Sequence, residues 1–300
     1  MQAFGAHDAA AKVTRSFLFV PADSERKLEK AGTSGADALI LDLEDSVAAS
    51  ARSKARNLAA EFLKQECDAK IWVRINPLDS ADALEDLQAV MPAAPEGIVL
   101  PKPRGADDAK QLAKLLDALE QESELEAGQT LILPVATERP AALFRMDEYA
   151  ESTARLAGLT WGAEDLSAAV GASSNRDESG NWLPPYQLAR SLCLFAASAA
   201  GVPAVDTVYK NFKDADGLAE FAAAARRDGF EGMLAIHPKQ VAIINKAFVP
   251  TPAETERAQR IVALFAANPE VGALGMDGEM IDRPHWLQAK RILETASRLK

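Results

Sequence analysis

The sequence predicts an α/β protein built as a (β/α)8 TIM barrel with a C-terminal helical extension. Three observations point there. Short apolar runs rich in β-branched residues recur eight times along the chain, and amphipathic, helix-like stretches separate them. Continuous apolar strands alternating with such helices describe a parallel sheet covered by helices, and eight repeats close a barrel. Finally, the first run, Phe17-Leu18-Phe19-Val20, leads into Pro21-Ala22-Asp23-Ser24-Glu25 rather than a glycine-rich dinucleotide fingerprint. That leaves a doubly wound open sheet without support.

The eight expected strands are 17–20, 38–41, 71–75, 97–100, 131–135, 158–161, 204–207 and 233–236. Helices are expected between them, clearest over 24–31, 50–62, 106–120 and 216–227. We place the barrel in residues 1–250 and a lid or oligomerisation extension in 251–300. Within that extension, 253–268 reads as one helix, 272–282 as a Gly- and Met-rich segment, and 284–298 as a last helix opened by Pro284, a residue suited to a first helical turn.

Composition narrows the function. The 300 residues carry 33 basic and 44 acidic side chains, a net charge of −11. A nucleic-acid footprint needs a basic face, as does an anionic membrane surface, so neither is expected as a partner. No apolar run approaches a membrane span of about 18 residues. The segment 1–14 lacks the apolar core of a secretory signal. Cys67 and Cys193 are too few for a disulfide framework and lack metal-ligand spacing, so both are expected as reduced core thiols. The expected location is cytoplasmic.

In such a barrel, chemistry gathers at the C-terminal strand ends. Strand two ends in Asp42-Leu43-Glu44-Asp45-Ser46, strand three in Arg74, strand four in Pro101-Lys102-Pro103-Arg104, strand five in Ala136-Thr137-Glu138, strand six in Gly162-Ala163-Glu164-Asp165, and strand eight in His237-Pro238. Singly, the acids read as helix caps. Arg74 on an apolar strand needs an anionic partner, protein or ligand. His237 is given no proton-transfer role. Several carboxylates on one rim repel unless a cation lies among them. With no Cys or His cluster, the oxygen donors point to Mg2+, which uses one or two carboxylates, waters and substrate oxygens. Glu138 and Asp165, from neighbouring strands, are the candidate pair, with Arg74 across the mouth. Asp42 and Glu44 complete the candidate catalytic set. A metal and a guanidinium together suit an oxyanion substrate.

The motifs also resemble the citrate lyase β-subunit-like family within the HpcH/HpaI aldolase grouping. Arg15 to Pro21 resembles its opening, and Gly35-Ala36-Asp37 through Val47 its second-strand signature, with Lys54 and Arg56 following. Val73 to Pro77, Leu100-Pro101-Lys102, Gly162 to Leu166, Ala235 to Gln240 and Asp277 to Pro284 continue the match in order. The resemblance implies Mg2+ and reversible carbon–carbon cleavage of an acyl-CoA thioester of the malyl-CoA or citramalyl-CoA type to a short acyl-CoA and a 2-oxo acid. It implies Asp165 as a metal ligand, Arg74 facing the thioester or enolate oxygen, and Asp282 as an acid/base reaching an adjacent subunit of a homo-oligomer, a trimer or hexamer. Hydrolysis of the thioester and a carrier-dependent β-like subunit are the alternatives. Lys102, Arg104, Arg15 and Arg26 are candidates for coenzyme A phosphates. Many members place the first metal-binding Glu directly before the strand-five Thr. Here that position is Ala136, and Glu138, two residues on, is expected to point the same way from an extended segment and take its place.

Overall fold

The computed structural model describes residues 13–299; most of the segment 1–14 read above lies outside them. Two compact units divide the chain, Thr14–Asn245 and a C-terminal unit from Lys246 onward.

The first unit is the barrel. Its strands are β1 (Ser16–Pro21), β2 (Ala38–Asp42), β3 (Lys70–Arg74), β4 (Gly97–Leu100), β5 (Leu131–Pro134), β6 (Leu159–Thr160), β7 (Ala204–Asp206) and β8 (Gly232–Ala235). All pair in parallel, in the order β5-β4-β3-β2-β1-β8-β7-β6. The ring closes through the parallel bridges Ile132–Leu156 and Val135–Thr160. Helices α1 (Glu25–Gly32), α2 (Arg52–Leu63), α3 (Asp82–Val90), α4 (Ala106–Glu122), α5 (Ala163–Ala169), α6 (Pro184–Ala200), α7 (Ala215–Asp228) and α8 (Pro238–Ala247) alternate with the strands, and a 3-10 segment, Pro140–Glu151, replaces the helix after β5.

Side chains alternate faces along each strand, and the register fixes which of them meet. Phe17, Ala38, Ile40, Trp72, Val99, Leu133, Val135, Val205 and Leu234, from seven of the strands, form one buried cluster. Residues of non-adjacent strands meet in this way only inside the closed ring. Trp72 fills the space over Gly97, where a Cβ would lie 2.3 Å from its ring. Arg74 and Asp42 each lie two residues beyond a member of this cluster, Trp72 and Ile40, so both point inward at the C-terminal end of the interior. Cys193 is fully buried; Cys67 is only half-buried, so the expectation of two core thiols holds for Cys193 alone.

The C-terminal unit contains α9 (Pro252–Ala267), β9 (Ala273–Met276), β10 (Glu279–Asp282) and α10 (Arg283–Arg298). A reciprocal capping box starts α9: Thr251 Oγ1 accepts from the Glu254 N–H, and Glu254 accepts from the Thr251 N–H. The segment 272–282 is a β-hairpin. Asp277 and Gly278 carry its two-residue turn, both with left-handed φ, as such tight turns require. Ala258, Ile261, Met276, Ile281 and Ala289 form the unit's own small core. Among the described residues no helix is long and apolar enough to cross a membrane.

Candidate active site

Asp42 and Arg74 are register partners at the ends of β2 and β3, so strand pairing alone brings them together. Arg74 Nε donates to Asp42 Oδ1 at 2.6 Å and its Nη2 to Oδ2 at 2.7 Å. This fork-to-fork pair is the strong, direction-setting form of an ion pair. The guanidinium also lies over the Phe19 ring, 4.7 Å from its centroid. Asp42 further accepts the N–H groups of Glu44 and Ser46, so it both satisfies its loop and aims the arginine. Burial pushes the Asp42 carboxyl up, but Arg74 and the N–H donors outweigh it and leave it below the usual range. Arg74 is itself held above its ordinary value: burial opposes its charge, and the bonds and charge of Asp42, then the charges of Glu44 and Glu138, outweigh that.

Glu44 is buried beside them. Its Oε2 is 3.1 Å from Arg74 Nη1, yet out of line for a hydrogen bond, and the atom is buried with no hydrogen-bond partner. Burial raises its pKa more than Arg74 and Lys102 lower it.

Lys102 sits among the acids. It follows β4 between two prolines and holds φ +49°, a left-handed conformation uncommon outside glycine and concentrated at functional sites. Its Nζ bonds Glu44, lies 3.0 Å from Asp45 and 3.3 Å from Asp165 Oδ1. Its backbone N–H donates to Glu138 Oε2 at 2.5 Å. One residue therefore touches four acids that follow three different strands: Glu44 and Asp45 after β2, Glu138 after β5 and Asp165 after β6.

Glu138 is 4% exposed. The strand parity expected to aim it does not operate, because β5 ends at Pro134 and residues 136–138 turn. Instead, the turn lays the side chain against the backbone of Gly162, where a Cβ would meet Glu138 Cγ at 2.8 Å. The Gly162 N–H donates to Thr137 Oγ1, holding the two loops together. Burial, then the charge of Asp165, pushes the Glu138 carboxyl up to about 8; the Lys102 N–H and Arg74 only partly offset this. Asp165 lies in the first turn of α5, where a carboxylate is favoured by the helix dipole.

The structure thus gathers Asp42, Glu44, Arg74, Lys102, Glu138 and Asp165 on one rim. Arg15 is not among them. It precedes β1, at the opposite end of the barrel, where Asp37 grips it through Nε at 2.7 Å and Nη2 at 2.8 Å. Arg104 pairs with Asp108, and Arg26 is exposed on α1. Arg56 is tied to Asp86, Asp82 and Glu85. Asp282 caps α10 in the C-terminal unit, its Oδ1 2.5 Å from His285 Nδ1. Two features escaped the sequence reading. Gly162 is legible only once its Cα is seen against Glu138. Lys102 stood out only as a phosphate candidate, though a lysine between prolines at a strand end was a signal of a fixed backbone.

Do these donors suit Mg2+? Among the described residues no three His, Cys, Asp or Glu side chains enclose a metal unaided. Mg2+ does not require that, since it keeps waters and uses one or two carboxylates. The donors are all oxygen, Glu138 is crowded by like charge, and a buried Glu44 oxygen has no hydrogen-bond partner. Each is relieved by a nearby cation, so the residues fit.

A parallel barrel with an arginine and paired carboxylates at its C-terminal mouth defines a class: barrel proteins equipped to hold a small anionic substrate. The chain belongs to the HpcH/HpaI aldolase/citrate lyase family, whose model matches residues 15–238. It is 35% identical to the citrate lyase subunit beta of Haemophilus influenzae over 289 residues, 95% of this chain and 97% of that one. It is 34% identical to a (3S)-malyl-CoA thioesterase of Cereibacter sphaeroides over 288 residues, 94% of each. Among solved structures it is similar to CitE of Mycobacterium tuberculosis in complex with magnesium, acetoacetate and coenzyme A (TM-score 0.80, 32% identity, covering 95% of this chain and 98% of that one).

Proposed function

We propose that this protein is a Mg2+-dependent carbon–carbon lyase. Its substrate would be a short 3-hydroxyacyl-CoA thioester of the citramalyl-CoA or malyl-CoA type. The products would be acetyl-CoA, or a similar acyl-CoA, and a 2-oxo acid such as pyruvate or glyoxylate. The observation that carries this reading is the half-buried Arg74, aimed by Asp42 beside the crowded acids Glu138 and Asp165. The relative solved with magnesium, an oxo acid and coenzyme A supports it.

Glu138 and Asp165 would hold the metal, which when bound supplies a Lewis acid to the substrate's carboxylate and hydroxyl oxygens. A general base takes the proton of the substrate hydroxyl, the O–H electrons form the carbonyl of the departing 2-oxo acid, and the pair of the broken C–C bond passes to the thioester as an enolate. Arg74 stabilises the oxygen of that enolate, with Asp42 and Glu44 fixing the guanidinium. Asp282, supplied by a second copy in a homo-oligomer, would return a proton to the enolate carbon. The extension 251–300 would serve as the lid and oligomerisation arm that delivers it.

Two other readings follow from relatives. The thioesterase name favours hydrolysis at the same site, and the subunit name favours action on a carrier-bound thioester. Incubating the purified protein with citramalyl-CoA and malyl-CoA, with Mg2+ or chelator, separates all three. Acetyl-CoA and a 2-oxo acid, abolished by chelator, is the expected result. Free CoA alone would mean hydrolysis, and no product without an acyl-carrier partner would mean a subunit.

A further inference from the structure

Lys102 serves both acids assigned to the metal, one from each end of the residue. Its main-chain N–H donates to Glu138 Oε2, and its Nζ lies 3.3 Å from Asp165 Oδ1. The backbone end is fixed. Pro101 and Pro103 flank the residue, and its φ is +49°. A proline locks its own φ and restricts the residue before it, so this peptide has little room to swing. The ammonium end is held unevenly. Nζ hydrogen-bonds Glu44 and both oxygens of Asp45, the latter at 3.0 Å each. The buried Glu44 is in turn fixed by Arg74, which faces its other oxygen. Those bonds occupy all three donors of the ammonium, so its hold on Asp165 is by charge alone. Lys102 thus has a seat on Glu44 and Asp45 that does not depend on Asp165.

A cation on Glu138 and Asp165 would be a close neighbour of this ammonium. Like charges a few ångströms apart repel, and more strongly in a partly buried site than in water. The side chain is therefore a competitor for Asp165 that the chain itself carries. The competition is unequal. A monovalent ion that displaced the ammonium would bring the same charge to the same oxygen and gain nothing. A divalent ion brings twice the charge, which suffices to push Nζ back onto Glu44 and Asp45.

We propose that Lys102 is a selectivity residue: its ammonium holds Asp165 against monovalent cations and gives it up only to a divalent one. The inference rests on Glu138 and Asp165 being the metal pair, and the test separates the two. Calorimetry with Mn2+ on the full chain, stripped by chelator and without substrate, would compare the wild type with Lys102→Met. That variant keeps the N–H and the length of the side chain but loses the charge. In tetramethylammonium chloride, whose cation is too bulky to enter, Lys102→Met should bind Mn2+ about tenfold more tightly, through the loss of one like charge. Replacing tetramethylammonium by Na+ at constant ionic strength should leave the wild-type affinity unchanged and weaken Lys102→Met about tenfold. Lys102→Arg, which restores the charge, should again ignore Na+. A lysine that merely supports the acids gives the opposite sign. Weaker Mn2+ binding in Lys102→Met, or an equal response of both proteins to Na+, would overturn the inference.

A second measurement needs no variant. In wild-type crystals grown with chelator, Nζ should lie within ion-pair reach of Asp165, about 4 Å. In crystals soaked in Mn2+ it should leave that reach and keep its bond to Glu44. An ammonium unmoved beside bound Mn2+ would overturn the inference and leave the metal pair standing. Mn2+ binding to neither the wild type nor Lys102→Met would overturn both. Tighter Mn2+ binding in Lys102→Met, with no turnover of any thioester by the wild type, would support the selectivity role and count against the lyase.

Discussion

Replacing Glu138 with Gln tests the electrostatic reading of the site without depending on turnover. In the fold its carboxyl is pushed from 4.5 to about 8, by burial first and by Asp165 second. Between those values the folded protein binds the proton that the unfolded chain has released. Stability contributed by this group is therefore fully present below the unfolded pKa and is lost as pH rises through about 8. At about 1.4 kcal/mol per pKa unit the whole shift corresponds to about 5 kcal/mol, roughly half of it lost between pH 6 and pH 9. For a protein of this size that is a fall in Tm on the order of 5–10 °C. Thermal unfolding in chelator, at intervals from pH 6 to 9, should show this fall in the wild type, and Mg2+ should reverse it at the alkaline end. Glu138→Gln keeps an acceptor for the Lys102 N–H but cannot ionise. Its Tm should change little over the same range and should not respond to Mg2+. A variant that retained the wild-type slope would show that Glu138 is not the strained group, and the crowding argument would fail with it.

Other perturbations separate the parts of the site. Gly162→Ala places a methyl 2.8 Å from Glu138 Cγ; we expect an intact fold and a loss of Mg2+ affinity of about 10–100-fold by calorimetry, typical when a ligand loses its support, and an unchanged affinity would show that the acid does not need this seat. Asp165→Ala should abolish turnover while circular dichroism stays native; a fully active variant would remove Asp165 as a ligand. Arg74→Lys keeps the charge but cannot reproduce the two-pronged bond to Asp42; kcat should fall on the order of 10²-fold with little change in KM, and a purely KM effect would place Arg74 in ground-state binding. Asp282→Asn should lower kcat, and mixing it with Asp165→Ala should restore part of the activity if the proton crosses between copies; no restoration would confine Asp282 to its own subunit or to capping α10.

Most of the barrel was legible because buried parallel strands write themselves as unbroken apolar runs. All eight strands begin and end within one residue of the positions read from sequence. β6 is the shortest: the run 158–161 loses one residue at each end and becomes Leu159–Thr160, because only those two residues pair with β7. The 3-10 segment Pro140–Glu151 carries no clean helical period, and the hairpin went unread although Asp277-Gly278 is a turn signal. At the site, residue types were enough to choose Arg74, Glu138 and Asp165, since charge at an apolar strand end is conspicuous. What they do to one another was not legible. The grip of Asp42 on Arg74 comes from register, the seat of Glu138 from the backbone of Gly162, and the reach of Lys102 from a left-handed φ. Arg15 shows the converse: a motif residue whose distance from the mouth follows from which end of β1 it occupies, and whose charge is already spent on Asp37.

The central claim is that the rim acids Glu138 and Asp165 hold a divalent cation beside Arg74. Diffraction from a crystal soaked in Mn2+, collected at the manganese edge, tests it most directly. The account predicts one strong anomalous peak within about 2.0–2.3 Å of carboxylate oxygens of both Glu138 and Asp165, the distance of oxygen ligation to an ion of this type, and its disappearance in Asp165→Ala. A peak elsewhere in the barrel, or one that survives the loss of Asp165, would contradict it.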